Sequence, residues 1–300
     1  MAQTTAFSHL LAPGLRKVFF DTEKRWPSEY DKIASVETSK RAYEEELTMA
    51  GLGLAERKPE GRSIVYDEPI QGNKVRYTHV TYALGFRVSR EAYDDDLYGP
   101  MQKMSKQLAT SMMQTVELEF GGLLDDAFSG SVYTAHDGQP LCSTAHVLLN
   151  GGSYQNRPTV HVDLGIGSLR AARQRMESLV NERGIREMRL PSILVVSPEY
   201  QWVAEEITKS QLYPYSSENR TNSTQDIMQL KYMVNHYMSD ADQWLLLTDK
   251  SQHDIKFLWR MKSQFDNSDD FDTKDAKFSV MARFSLGFTD WRGVDGSSGG

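Results

Sequence analysis

An α+β chain is predicted by three stretches of this sequence. Leu97, Met101, Met104, Leu108, Met112, Val116, Phe120, Leu123 and Ala127 step by three or four residues, the apolar stripe of an amphipathic helix. Phe278, Val280, Ala282, Phe284, Leu286 and Phe288 alternate with Ser279, Met281, Arg283, Ser285, Gly287 and Thr289. That is a half-buried strand of about twice the usual length. Between Arg62 and Phe86 lie two polar, extended runs, RSIVYDE and KVRYTHVTYALGF, joined by the turn-rich PIQGN. Neither run has enough apolar residues to bury a face of its own, and an isolated two-stranded hairpin is marginal in water. A coreless hairpin beside a helix about 45 Å long, at about 1.5 Å per residue, describes a subunit that completes itself in an assembly.

The elements follow in order. Residues 4–26 read as an amphipathic helix or arm, with Leu10, Leu11, Leu15, Val18 and Phe19 on its apolar side and a break at Pro13-Gly14. The next stretch, PSEYDKIASVETSKRAYEEELTMAGLG, is polar and lacks core-forming periodicity, yet Trp26, Tyr30, Ile33, Val36 and Tyr43 are spaced as anchors. Residues 1–52 are therefore expected to be an arm that packs along its own subunit and its neighbours. Ser89 suits the N-cap of a short helix, REAYDDDLYG. After the long helix, residues 130–159 are rich in Gly, Ser and Asn and read as a long loop. Leu169, Ala172, Met176, Leu179 and Val180 then make a helix with Gly184 as its stop. LPSILVVS suits a buried strand, and Ser197-Pro198 opens the helix PEYQWVAEEITKS. WLLLTD and IKFLWRMK are strand-like, so this half is a small α/β layer domain. IKFLWRMK pairs with the final strand across the aspartate-rich QFDNSDDFDTKDA, and the tail GVDGSSGG is expected to be flexible.

Composition narrows the function. The 300 residues allow one or two domains with a sizeable core. A formal net charge of −7 argues against a protein that binds nucleic acid by neutralising phosphates, and no basic run is evident. The single cysteine, Cys142, excludes an internal disulfide framework and fits a reducing compartment. The N-terminal MAQTTAFSHLLAPGLRKVFF has no signal-peptide pattern, and no window approaches the ~20 apolar residues of a membrane span. A soluble chain made in the cytoplasm, with no membrane partner, is expected.

Chemistry-bearing clusters are few. Cys142 lies four residues before His146, with His136 and Asp137 upstream and His161 beyond. Such a set can mean a nucleophile with its base, or zinc ligands, but the spacing completes neither, and a loop with chance polar residues is the better reading. GIGSL at 165–169 is too short for a dinucleotide fingerprint. DNSDDFD lacks the glycine and glutamate of a calcium loop. Asp94, Asp95 and Asp96 are consecutive and point in different directions on a helix, a poor chelate. No catalytic, cofactor-binding or metal-binding residue is therefore predicted, and no cofactor.

The order of parts resembles the bacteriophage major capsid protein of the Hong Kong 97 type, and more narrowly the Mu-like major head subunit. VETSKRAYEEELTMAGLG, YDEPIQGNKVRYTHVTYALGFRVSREAYDDDLYG, DGQPLCSTAHVL and FTDWRG carry the resemblance. It implies an N-terminal arm at 1–52 and an extended hairpin, the E-loop, at 53–88. It implies a peripheral domain at 89–159 and 251–292 with the spine helix and long strands, an axial domain at 160–250, and the tail at 293–300. The hairpin would lie over a neighbouring subunit, with Tyr66, Lys74, Arg76 and Tyr77 as inter-subunit contacts. Lys74 sits in the hairpin turn, where the type member cross-links through a lysine; no cross-link is expected here. The implied function is an icosahedral shell that self-assembles from pentamers and hexamers in the host cytoplasm and encloses DNA without reading its sequence. The implied partners are a separate scaffold protein, a portal and decoration proteins. An encapsulin-like compartment shell is the alternative, and a cytosolic hydrolase using Cys142 and His146 a remote second one.

Overall fold

The computed structural model describes residues 7–89, 91–92, 98–212, 221–270, 272–273 and 275–300. Leu97, the aspartates at 94–96 and the side chains of Leu10 and Leu11 lie outside that description, as does most of the short helix expected after Ser89. The chain runs α1 (Phe7–Lys24), α2 (Tyr30–Ile33), β1 (Ser35–Thr38), β2 (Tyr43–Ala50), β3 (Ile70–Thr78), β4 (Val80–Val88), α3 (Tyr98–Asp125), β5 (His146–Val147) and β6 (Ser153–Tyr154). It continues through α4 (Ile166–Glu177), β7 (Ile193–Val196), α5 (Gln201–Lys209), α6 (Ser223–Met228), β8 (Lys231–Val234), β9 (Trp244–Leu247), β10 (Ile255–Asp269), β11 (Ala276–Phe288) and β12 (Val294–Ser297).

The long helix and the long strand form as predicted, and they pack together. On α3, Met101, Leu108, Met112, Val116, Phe120 and Leu123 are buried. On β11, Phe278, Val280, Ala282 and Phe284 are buried in the same core. Met104, expected in the stripe, is 42% exposed. Its place is taken by Ser105, whose hydroxyl donates to the Leu15 carbonyl at 2.8 Å, so a small residue lets α1 lie close. The strand belongs to a sheet ordered β1-β10-β11-β4. β11 pairs antiparallel with β10 from Ala276↔Asp269 to Phe288↔Ile255, and β1 joins β10 in parallel. A second sheet, β12-β9-β7-β8, has its own core of Leu169, Ala172, Leu194, Val196, Ala204 and Trp244.

Several expectations are corrected. α1 runs through Pro13 instead of breaking there, because burying Leu15 and Phe19 against α3 outweighs one lost backbone hydrogen bond. Of the anchors at 26–43, Tyr30 and Ile33 pack on their own subunit while Val36 and Tyr43 are exposed: Tyr30 packs on Phe257 with ring centroids 4.6 Å apart, and α2 is held by α3. The buried Glu117 carboxylate accepts from Glu29 N at 2.8 Å and Tyr30 N at 3.1 Å.

The predicted hairpin is re-paired. RSIVYDE is not a strand; β3 pairs instead with β2, from Tyr43↔Thr78 to Ala50↔Ile70. KVRYTHVTYALGF divides at His79, and β4 joins β11 in the core sheet, with Tyr82 stacked on Phe284 at 4.7 Å and Phe86 on Phe278 at 5.3 Å. The hairpin is thus 43–78, straddling the expected boundary at 52. The aspartate-rich linker is half strand, since β10 continues to Asp269.

In the second domain α4 ends at Glu177, and Gly184 (φ +78°) serves a turn closed by the Val180↔Arg186 bridge. α5 starts only at Gln201, because the Ser197 hydroxyl is given to the Ala241 carbonyl. The tail at 293–300 is not loose. Val294–Ser297 is a fully buried edge strand on β9. Asp295 there takes both arms of Arg175, at 2.8 and 2.6 Å. Its small residues allow this: a Cβ on Gly296 would sit 2.6 Å from the Trp244 carbonyl.

The C-terminal end of α3 carries the junction between the two sheets. Asp125 accepts from Ser239 N and Oγ, and Gln243 Nε2 donates to the Leu124 carbonyl at 2.6 Å. A Cβ on Gly121 would run into the Tyr237 carbonyl, whereas one on Gly122 meets nothing within 4 Å. Gly121→Ala is therefore expected to cost about 1–3 kcal/mol by overpacking. Gly122→Ala should be neutral or stabilise by up to about 1 kcal/mol. Urea midpoints of the two variants check this, and equal effects would contradict it.

Candidate assembly surfaces

The hairpin is fixed at its root and bare at its tip. At the root, Tyr77 is only 3% exposed. Its hydroxyl bonds Thr289 Oγ1, which donates to Glu46 Oε2 at 2.6 Å. Both Glu46 oxygens also accept from Lys256 Nζ at 2.6 Å. Asn73 Nδ2 donates to the His136 carbonyl at 2.9 Å. Gly287 makes room for this root, since a Cβ there would lie 2.8 Å from the Tyr77 ring.

Beside the root is a polar cavity of about 490 Å³ lined by Glu46, Lys256, Arg189, Arg292, Asp254 and His253. Its charges are mutually paired. Arg292 holds Glu182 at 2.7 Å and Asp290 at 2.9 Å, and Lys256 also meets Asp254 at 3.0 Å. Burial pushes the His253 imidazole down to about 4.

Beyond Ala50 the chain is irregular as far as Ile70. Leu52, Leu54, Ile64, Val65 and Tyr66 all face solvent there, Leu54 at 78% and Tyr66 at 89%. Apolar side chains gathered this way mark an interaction surface. One clamp aims the loop: Arg183 Nη1 binds Asp67 at 2.7 Å and Nη2 donates to the Glu68 carbonyl. Gly53 N donates to the same carboxylate at 2.7 Å, which with Arg183 holds Asp67 below its ordinary range.

The four residues expected to touch neighbours fall in different places. Tyr66 is at the bare tip. Arg76 pairs with Glu45 at 2.7 Å and lies 4.2 Å over the Tyr43 ring, and Lys74 stands 4.0 Å from Glu45. Both remain largely exposed on the hairpin's flank. Tyr77 is the exception: it is consumed by its own subunit and offers a neighbour no surface. Leu54, Ile64 and Val65 are exposed beside Tyr66, and three apolar residues in a polar loop are the sequence signal of that tip.

The Cys142 region is structural. Cys142 is fully buried and burial drives its thiol upward, away from thiolate. His146 spends both ring nitrogens, Nδ1 on Asp137 at 2.7 Å and Nε2 on Asn156 Oδ1 at 3.0 Å, and stacks on Trp291 at 4.1 Å. No ring nitrogen is left to act as base for the thiol. Among the described residues, no group of three or more His, Cys, Asp or Glu is placed to hold a metal ion.

His253 makes stability depend on pH. Its folded value of about 4 lies below the ~6.5 of an unfolded histidine, so the unfolded chain takes up the proton first. The contribution is complete above about pH 6.5 and falls as pH drops toward 4. His253→Asn should flatten that limb of a urea-midpoint series against pH. A variant with the parent's slope there would refute the assignment.

The comparisons accord with this architecture. The model of the family described as "Phage capsid protein" matches residues 72–294. Among curated protein sequences none matches the chain significantly. Among solved structures the chain is similar to the procapsid of bacteriophage JBD30, at 19% identity and a TM-score of 0.52, over 98% of this chain and 76% of that one. It is similar to Microbacterium phage Oxtober96 at 10% identity and a TM-score of 0.54, over 91% of each chain. It is also similar to the virus-like particle from Pyrococcus furiosus at 10% identity and a TM-score of 0.51, over 95% of this chain and 98% of that one. At such identities the structures speak for the fold, which is the Hong Kong 97-type α+β capsid fold. The family match covers well over half of the sequence, and with it this chain belongs to the phage capsid protein family, whose members build shells.

Proposed function

We propose that this chain is the major head subunit of a tailed bacteriophage, of the Mu-like kind, and that its hairpin laps over a neighbouring subunit in an icosahedral shell. The observation that carries the reading is the apolar tip of Leu54, Ile64, Val65 and Tyr66, held out by the Arg183 clamp in a member of a capsid family. In this reading residues 43–78 with their tip are the E-loop. α1 to β1 form the N-terminal arm folded home. α3 is the spine, β10 and β11 belong to the peripheral domain, and the β12-β9-β7-β8 sheet is the centre of the axial domain. Pentamers and hexamers form in the host cytoplasm on a separate scaffold, with a portal at one vertex and decoration proteins outside, and the finished shell holds DNA in the virion. The similarity to a virus-like particle supports a second reading, an encapsulin-like compartment; purified particles that contain protein cargo and no DNA would favour it.

Replacing residues 54–65 with a short glycine linker removes almost no area buried within the subunit. The variant should therefore keep the parent's urea midpoint yet give no shells by negative stain when scaffold is present. A tip variant that melts far below the parent and still forms shells would reverse the reading.

A further inference from the structure

Asn150 is the one asparagine of the sequence that is followed by glycine, and it lies in the turn of the β5–β6 hairpin. That hairpin is held by two residue pairs, His146↔Tyr154 and Val147↔Ser153. In the turn, Leu148 N donates to the Gly152 carbonyl and Gly151 N to the Leu148 carbonyl, both at 2.9 Å. Asn150 and Gly151 are exposed. The Asn150 carboxamide folds back over the peptide that follows it. Its Oδ1 accepts from Gly152 N at 2.9 Å, the turn an asparagine makes with the N–H two residues on. That N–H draws electrons from Cγ and would stabilise an oxyanion formed by attack there. A Cβ on Gly151 would meet nothing within 4 Å, so the Gly151 nitrogen is unhindered.

Among the described residues, three other asparagines make the same turn and serve as a comparison. Asn181 Oδ1 accepts from Arg183 N at 3.0 Å, Asn222 from Thr224 N at 3.1 Å and Asn235 from Tyr237 N at 2.9 Å. Each is followed by a residue with a side chain, Glu182, Ser223 or His236, which crowds the next nitrogen. Asn222 and Asn235 are also fully buried, and Asn222 Nδ2 donates to the Ile207 and Ser210 carbonyls. Asn150 Nδ2 makes no hydrogen bond among the described residues and is open to water.

We propose that Asn150–Gly151 is a site of spontaneous deamidation in the folded subunit. Gly151 N loses its proton to water and bonds to Asn150 Cγ. The Cγ–Nδ2 bond breaks, and the nitrogen leaves as ammonia from a five-membered succinimide. Water then opens the ring at either carbonyl, leaving aspartate or isoaspartate at 150 with no change of oxidation state. The bond from Gly151 N to Leu148 must open first, which a hairpin of two pairs allows by local opening. The new carboxylate lies against the next turn, since a Cβ on Gly184 would sit 3.0 Å from Asn150 Nδ2. Ageing thus puts a negative charge beside the turn that carries Arg183, the partner of Asp67.

The test holds the full chain in oxygen-18 water at neutral and at mildly alkaline pH and maps its peptides by mass spectrometry. An isoaspartate-specific methyltransferase measures the rearranged product. Label should accumulate at position 150, faster at the higher pH because Gly151 N must lose its proton, with isoaspartate among the products. Positions 181, 222 and 235 should stay unlabelled. Gly151→Ala should slow labelling by about tenfold or more. Because φ is +83° at that position, where other residues are strained, Asn150→Gln is the second variant. Its longer side chain cannot close the five-membered ring, so position 150 should stay unlabelled while the urea midpoint matches the parent's. The proposal is overturned if position 150 takes no label in the time that converts a synthetic peptide of residues 146–154. Equal labelling at 222 and 235 overturns it too, as does an unchanged rate in Gly151→Ala. Aspartate without isoaspartate would mean direct hydrolysis and would also overturn it.

Discussion

The burial of one side of α3 against β11 is the constraint on which the rest of the subunit depends. It places Phe120, Leu123 and Leu124 in one core with Phe278, Phe284 and Phe288. The helix is buried along its whole length, from Met101 to Leu124, and its polar positions hold other parts. Ser105 binds α1, Glu117 caps α2, and Asp125 and Gly121 seat the segment that leads into β9. Residues far apart in sequence are thereby referred to a single rod, and the second sheet is seated on the same core, to which it gives Val195, Leu245, Leu247 and Val294.

The hairpin obeys a different economy. Its root is specified by polar contacts in series, Tyr77 to Thr289 to Glu46 to Lys256, which fix direction more than they add stability, since half-buried ion pairs contribute modestly. Its tip has apolar side chains and no core of its own. The segment is thus aimed by its root and by Arg183 while its tip stays uncovered within the subunit.

The buried polar centre around His146 looks like chemistry in the sequence and acts as mortar in the fold. Asn156 donates to the Leu141 and Val294 carbonyls while its Oδ1 receives Ser143 N and His146. One side chain thus ties the 130–159 loop to the C-terminal strand. With its partners satisfied internally, such a network gives a unique arrangement and leaves no group free for reaction.

The sequence by itself determined the elements that bury apolar residues at a regular period. α3 and β11 were legible because one-sided burial imposes a period of 3.6 or 2 on the apolar residues themselves, and β7 and β9 because strands buried on both faces are continuous apolar runs. β2 was not legible, since its inward positions are Glu44, Glu46 and Thr48, and Glu46 is matched only by Lys256 and Thr289 far along the chain. β12 read as a loose tail for the same reason: Asp295 needs Arg175, and Gly296 needs the Trp244 backbone, before either residue makes sense. The pairing of β3 with β2 in place of 62–68 is likewise absent from any window of sequence. Local pattern records what each residue prefers to bury; which polar group meets which is decided only when distant segments are brought together.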